Sequence, residues 1–317
     1  MVRSPAVVKT RGYLVIVRDP RTKEEEKIPI ITIKTMIILG KSVALTTAVL
    51  DKLLQQKIPI ILVTRDTTAL IESPHLTTNP EIRWKQYHYL SNTLNKILLA
   101  RKLIESKIRG YASVARYHAR HTPQHAETLR QAAQAAEQKI QELENAKTPQ
   151  EIMNIEAQAS QEIWKALRQT KLAQYQPTGF NGRNPRSKDP INQSLNYLHA
   201  ILYSIAYRAL IASGLDPHLG ILHREGYGKT PMVYDYTEQF KPIALHTLIT
   251  ASTKTKLKLN RTGLLTRKTI EQITRQLYKN LNKGQPPPHK QIYTKAWELR
   301  NTIKTNTIYK PYIYILK

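Results

Sequence analysis

The feature that most constrains this chain is a change of hydrophobic period near residue 80. Before that point apolar residues come in short β-branched runs; beyond it they recur every three or four positions over long stretches. A period of two suits strands with one buried face, and a period near 3.6 suits amphipathic helices. A chain carrying the two in succession is an α+β protein with segregated parts. The expectation is a β-rich, sandwich-like N-terminal domain over residues 1–80 and an all-α C-terminal domain over residues 81–317.

In the first part, Gly12 to Arg18 (GYLVIVR) and Lys27 to Ile33 (KIPIITI) read as strands around the charged turn DPRTKEEE, and Thr35 to Leu39 continues the pattern. Pro29 fits an edge or a strand start, because proline has no ladder donor. Val43 to Gln56 reads as a helix through Leu45, Val49 and Leu53, and Ile58 to Thr64 and Thr68 to Ile71 as further strands. Residues 80–120 then form a long helical pattern that Gly110 weakens slightly. Ala126, Leu129, Ala133, Ala136, Ile140 and Leu143 make an a/d stripe for helix-on-helix packing. Thr148-Pro149-Gln150-Glu151 is a capping-box start for a helix running to about Lys171. The segment QYQPTGFNGRNPRSK is a loop, Asp189-Pro190 caps the next helix, and Gly214 stops it. After loop-like residues 214–234 comes a helix containing Asp235 and Glu238, kinked or interrupted at Pro242. Helices over 264–282 and 290–304 flank the linker KGQPPPH.

Composition narrows the function. The chain has no cysteine, which excludes disulfides, thiol nucleophiles and Cys-ligated zinc. The longest apolar runs, Ile58 to Val63 and Val43 to Leu45, are far shorter than the ~20 residues of a membrane span. The start MVRSPAVVKTRG lacks the apolar core of a signal peptide, so a cytoplasmic protein without a membrane partner is expected. Lys and Arg number 49 against 23 Asp and Glu, a net charge of +26. The last 77 residues hold 16 basic and 2 acidic residues, more than half of the excess in a quarter of the chain. Charge so concentrated repels itself unless a polyanion offsets it, and nucleic acid is the first candidate, an anionic membrane the second.

Because acids are scarce, those beside helix faces and glycine-rich turns draw attention. Glu156 lies at the border of its helix's apolar stripe, beside Ile155, and His223 follows the turn in GILHREG. Asp235 and Glu238, three apart on a helix, leave the same face. One imidazole with two or three carboxylates suits Mg2+ or Mn2+ better than a structural zinc. On spacing alone each residue also fits an ordinary role: a solvated Glu, a hydrogen-bonded His after a turn, and acids favouring a helix N-terminus.

The stretch DPINQSLNYLHAILYSIAYRALIASGLDPHLGILHREGYGKTPMVYDYTEQFKP resembles the signature region of the CRISPR adaptation integrase family, Cas one. Its carriers are Asp189, Pro190 and Asn192; Gly214 to Pro217; Gly220 and His223; and Asp235, Glu238, Phe240, Lys241 and Pro242. Upstream, IEAQASQEIW is similar to the family's metal-binding glutamate helix, and FNGRNPRSKDP to its basic lead-in through Phe180, Arg183 and Arg186. The sequence departs from the family pattern at Ala157, at Ile163 and at Gly110-Tyr111, after Lys107.

The resemblance implies a metal-dependent endonuclease and integrase. In the family's reaction the 3′-hydroxyl of a short DNA fragment attacks a phosphodiester of a repeat array and displaces another 3′-hydroxyl. It assigns Glu156, His223 and Glu238 as ligands of Mg2+ or Mn2+ and Asp235 as an auxiliary catalytic carboxylate. Lys229 and Lys241 flank the acids and can offset their repulsion and meet phosphates. Arg183, Arg186 and Lys188 in the loop, and Lys254, Lys256 and Lys258 in the KTKLK run, are the further DNA-binding candidates. The resemblance also implies double-stranded DNA as partner, a homodimer formed mainly through the β domain, and a small companion protein, Cas two, bridging two dimers. The competing expectations are a transposon-encoded relative of the integrase, a general metal-dependent nuclease, and a non-catalytic basic architectural DNA-binding protein.

Overall fold

The structure, a computed structural model, describes residues 2–33, 35–56, 58–63, 68–71, 73, 80–170, 180–254 and 256–316. These divide into two units, residues 1–79 and 80–317.

Among the described residues the first unit holds two four-stranded sheets, one α-helix and one 3-10 turn. Its strands are β1 (Val2–Arg3), β2 (Ala6–Arg11), β3 (Leu14–Arg18), β4 (Glu25–Pro29), β5 (Met36–Leu39), β6 (Val43–Leu45), β7 (Ile60–Val63) and β8 (Thr68–Ile71), with α1 (Thr47–Gln55) between β6 and β7. One sheet has the order β1-β5-β7-β8 and the other β4-β3-β2-β6. Val2, Met36, Ile38 and Ile60 from the first sheet and Ala6, Val8 and Val15 from the second bury into one core with Val49 and Leu53 of α1. That shared core is the sandwich-like arrangement the strand runs predict. Pro29 ends the edge strand β4, where its missing donor costs no ladder bond.

Three elements differ from the sequence reading. Val43–Leu45 is a strand rather than the start of the helix, because β2 captures it in parallel register with Ala6 opposite Val43. Three apolar residues cannot distinguish a period of two from one of 3.6, so the distant partner decides. After Pro29 the chain turns into a 3-10 helix over Ile30–Thr32, with Ile30 N–H donating to the Tyr13 carbonyl at 2.9 Å. Strand β2 itself pairs with β3 as a hairpin across Gly12, with Arg11 opposite Leu14.

The second unit is helical: α2 (Pro80–Ser91), α3 (Thr93–His121), α4 (Ala126–Leu143), α5 (Pro149–Arg168), α6 (Pro190–Ala212), α7 (Pro231–Thr237), α8 (Lys241–Lys254), α9 (Arg267–Asn282) and α10 (Pro288–Thr305). The long helix expected from residue 80 breaks at Asn92, whose side chain caps α3 by accepting from Asn95 N–H at 3.2 Å. The a/d stripe of α4 packs it against both α3 and α5. Thr148 Oγ1 caps α5 by accepting from Glu151 N–H. The expected ends at Thr64 and Lys171, and the part of the basic loop within residues 171–179, lie outside the described residues.

Gly110 has a packing role within α3. A Cβ there would come within 2.5 Å of Pro242 Cγ, so glycine lets α3 approach the start of α8. The extended segment after α10 braces the same region: Gln239 Oε1 accepts from Tyr312 N–H at 2.8 Å, and Phe240 stacks on Tyr312. Leu316 N–H reaches Ser113 Oγ on α3 at 2.9 Å.

Between α3 and α8, His118 Nε2 and His246 Nδ1 lie 3.1 Å apart in the interior. Burial is the main cause that lowers both pKa values, to about 3 for His118 and about 4 for His246. Groups with depressed folded pKa values bind protons more readily in the unfolded chain. The pair therefore supports the fold fully above the ordinary histidine value of 6.5 and loses that support as pH falls toward 4. Thermal midpoints should fall steadily below about pH 6.5, and His246→Gln should flatten that slope. A parent midpoint unchanged down to pH 5 would contradict this.

Candidate active site

Four elements far apart in sequence converge on one cavity of about 830 Å³. Helix α5 brings Glu156, the 3-10 turn Glu238–Phe240 brings Glu238, the loop before α7 brings His223, and α3 brings Lys107 and Tyr111. Amphipathic α5 buries Ile152, Ile155, Ala159 and Ile163, which turns Glu156 to the cavity edge as its place beside the apolar stripe predicts.

The electrostatics centre on Lys107. Its Nζ lies 2.6 Å from Glu156 Oε1 and 2.6 Å from Glu238 Oε2. Glu238 Oε1 accepts from Lys241 Nζ at 2.5 Å, and Glu156 Oε1 also accepts from Ser160 Oγ at 2.7 Å. Burial alone would raise the Glu238 pKa, but Lys107 and Lys241 outweigh it and hold the carboxyl well below the usual range. Lys107 behaves conversely: burial opposes its charge, yet Glu156 and Glu238 hold it well above the ordinary lysine value.

Asp235 is fully buried and turned away from that cavity. Its carboxylate accepts from the backbone N–H groups of Ile221 (2.6 Å), Leu222 (2.9 Å) and His223 (3.2 Å), and lies 2.5 Å from His223 Nδ1. A carboxylate accepting this many donors fixes the proton on Nδ1 and leaves Nε2 as the free lone-pair nitrogen of the neutral ring. The bond to Asp235 raises the His223 pKa against burial. Gly220 permits the tight loop, since a Cβ there would sit 2.2 Å from the His223 carbonyl oxygen. Asp235 and Glu238 therefore do not act on one face: α7 ends at Thr237, Glu238 opens the 3-10 turn, and the two acids meet different groups.

A second cavity of about 840 Å³ shares Asn181, Gly182 and Arg183 with the first. Lys188, Lys256 and Lys258 line it, joining two basic segments that the sequence keeps 68 positions apart from Lys188 to Lys256. Leu257 buries between Lys256 and Lys258, so both lysines are exposed. Arg183, one of the expected phosphate contacts, donates to Asn192 Oδ1 (3.0 Å) and Asn196 Oδ1 (2.7 Å), and pins the loop to α6. Asp189 caps that helix, and Asn192 grips the Gly182 carbonyl, which gives the Asp-Pro-x-Asn motif its physical role. Arg186 is exposed on the loop; Lys229, on the Gly226–Lys229 turn, and Lys254, at the end of α8, are exposed and line neither cavity. Lys241 is nearly buried against Glu238 and serves as its counter-charge. Sequence reading left Lys107 as a landmark only, since its partners are 49 and 131 positions away.

The family model described as CRISPR associated protein Cas1 matches residues 1–278. A CRISPR-associated endonuclease Cas1 from Hyperthermus butylicus is 35% identical over 254 residues, covering 74% of this chain and 72% of that protein. Among solved structures, a casposase bound to integration product superposes with a TM-score of 0.80 at 20% identity, covering 99% of this chain and 92% of that one. A Cas6-RT-Cas1–Cas2 complex matches with a TM-score of 0.78 at 18% identity, covering 98% of this chain and 35% of that one. The segregated β and α units, the convergent acids and the sequence match over most of the length agree: this chain belongs to the CRISPR-associated Cas1 family.

Proposed function

We propose that the chain is a CRISPR adaptation integrase with associated DNA endonuclease activity, dependent on Mg2+ or Mn2+. The observation that carries this reading is the single cavity that Glu156, Glu238 and His223 line together and that adjoins the groove lined by Lys188, Lys256 and Lys258. Among the described residues no three His, Asp or Glu side chains already surround one point. The donor set nonetheless fits a hard divalent cation: two carboxylates drawn to one cationic group, and an imidazole whose Nε2 is free. Glu156, Glu238 and His223 would hold the ion, and Asp235 would orient His223 rather than coordinate. When bound, the cation neutralises the crowded phosphate oxygens and lowers the pKa of the attacking hydroxyl.

The rest of the work falls to the chain. Arg186, Lys188, Lys256 and Lys258 grip the phosphodiester backbone, and Arg183 holds the loop that carries the first two. Lys107 and Lys241 keep Glu238 ionised. The 3′-hydroxyl of the incoming fragment gives up its proton to solvent as its oxygen bonds to phosphorus, the P–O bond to the target's 3′-oxygen breaks, and the displaced oxygen takes up a proton from solvent, so that no net proton is consumed. Partners in this reading are double-stranded DNA, a second copy meeting through residues 1–79, and a Cas2 protein bridging two dimers. The fold likeness to a Cas1–Cas2 assembly supports the last of these.

Incubating the protein with a repeat-bearing plasmid and short 3′-hydroxyl duplexes tests the reading. Covalently joined products should form with Mg2+ or Mn2+ and vanish with chelator; cut but unjoined strands would return the chain to a general nuclease. Duplex affinity should fall steeply with salt, and Lys188→Ala with Lys256→Ala and Lys258→Ala should reduce the log–log salt slope by about 2–3, close to 0.9 per lost phosphate contact. An unchanged slope would make these lysines ordinary solvated surface.

A further inference from the structure

Lys107 holds a position that the function above leaves unexplained. It reaches in from α3, is almost wholly buried, and touches the two carboxylates proposed as ligands, each at 2.6 Å, although they come from different elements. Lys241 touches only the other oxygen of Glu238. Glu156 and Glu238 would repel each other if left facing without a cation. Lys107 and Lys241 balance them, so the cavity's ligand pair is neutral before any divalent ion arrives.

We propose that Lys107 is the resident counter-cation of the site and yields its place between Glu156 and Glu238 when a divalent cation binds. The inference rests on the metal reading of the site given above. A divalent ion held by the same two carboxylates cannot share them with an ammonium at hydrogen-bond distance without strong like-charge repulsion in a poorly solvated place. The lysine stem is flexible, and Nζ already lies 5.6 Å from the centroid of the Tyr111 ring, whose face offers the displaced cation a resting point. The arrangement keeps the acids gathered while no metal is present, at the cost of competing with the metal.

The test uses the full chain without DNA, with Mn2+ as probe, because free Mn2+ is counted directly by electron paramagnetic resonance. Lys107→Met removes the charge, and Lys107→Gln removes it while keeping an N–H donor, so that one of the two remains folded if the other does not. In chelator both variants should melt below the parent, and Mn2+ should raise their midpoints further than it raises the parent's. Their Mn2+ dissociation constants should fall by about tenfold or more, a gain of about 1.4 kcal/mol. A merely structural lysine would lower the chelator midpoint but give no gain in Mn2+ affinity. Glu156→Gln should abolish the Mn2+ response, fixing it to this site. A parent that binds Mn2+ while both variants bind it equally or more weakly overturns the exchange and leaves the metal reading standing. Absence of Mn2+ binding in parent and variants alike overturns both.

Discussion

Glu156→Gln and His223→Ala are expected to lower metal-dependent strand joining by about a thousandfold, with duplex DNA affinity within about twofold of the parent. A loss of that size corresponds to about 4 kcal/mol of transition-state stabilisation, the scale of losing a ligand that holds the charge-neutralising ion. Binding should survive because neither change removes a lysine proposed to meet phosphate. Glu238→Gln should abolish joining too, but it is the less clean variant. Its carboxylate is nearly buried and serves two ammonium groups, at 2.6 Å from Lys107 and 2.5 Å from Lys241. Removing one partner of a buried ion pair leaves charge uncompensated and costs about 3–5 kcal/mol. Glu156 is partly exposed and shares its lysine, so its fold should suffer less. Pairing Glu156→Gln with His223→Ala should cost little beyond either change alone, since residues that act as a unit are not additive. Folded single variants that bind DNA and join strands at the parental rate would refute the assigned ligands.

What could be read from the sequence follows from the range of the interactions involved. The caps of α5 and α6 were legible because each is closed within four residues, as Thr148 with Glu151 and Asp189 with Asn192 show, whereas the equally local Asn92 cap was hidden inside a continuous helical pattern. That Glu156, His223 and Glu238 would line one cavity was legible through the family resemblance rather than through spacing, and the α+β division through period alone. Long-range pairing was not. Val43–Leu45 becomes a strand only because β2 lies alongside, and Lys107 becomes part of the site only because α3 passes between α5 and the Glu238 turn. Arg183 shows the same limit: its loop and motif suggest a phosphate contact, while its bonds to two asparagine oxygens within the next 13 residues, which fix the loop on α6, could not be read. The spacing of Asp235 and Glu238 assumes one continuous helix, and the switch to a 3-10 turn at Glu238 sends the two acids to different tasks.

That division of labour predicts an effect on the fold as large as the one on chemistry. Asp235 has no lysine or arginine partner among the described ion pairs; three backbone N–H groups and the His223 ring satisfy it at 2.5–3.4 Å. In Asp235→Asn one oxygen becomes an amide with two N–H donors: one can find an acceptor only if His223 gives up the Nδ1 proton, and the other faces backbone donors in a site with no solvent access. Losing charge-assisted bonds at about 1.5–3 kcal/mol each, and burying an unsatisfied amide, should destabilise the helical unit by about 3–5 kcal/mol. The imidazole should suffer as well. Without the carboxylate at Nδ1 the ring is free to take the other tautomer, and Mn2+ affinity should weaken by about 10–100-fold even in the fraction that stays folded. Asp235→Glu, which keeps the charge but adds a methylene to a packed interior, should not restore the parent, because overpacking costs about 1–3 kcal/mol on its own. Denaturant unfolding followed by Mn2+ titration of the folded protein separates the two effects. If Asp235→Asn unfolds at the parental midpoint and binds Mn2+ as the parent does, Asp235 neither anchors the 221–223 loop nor orients His223.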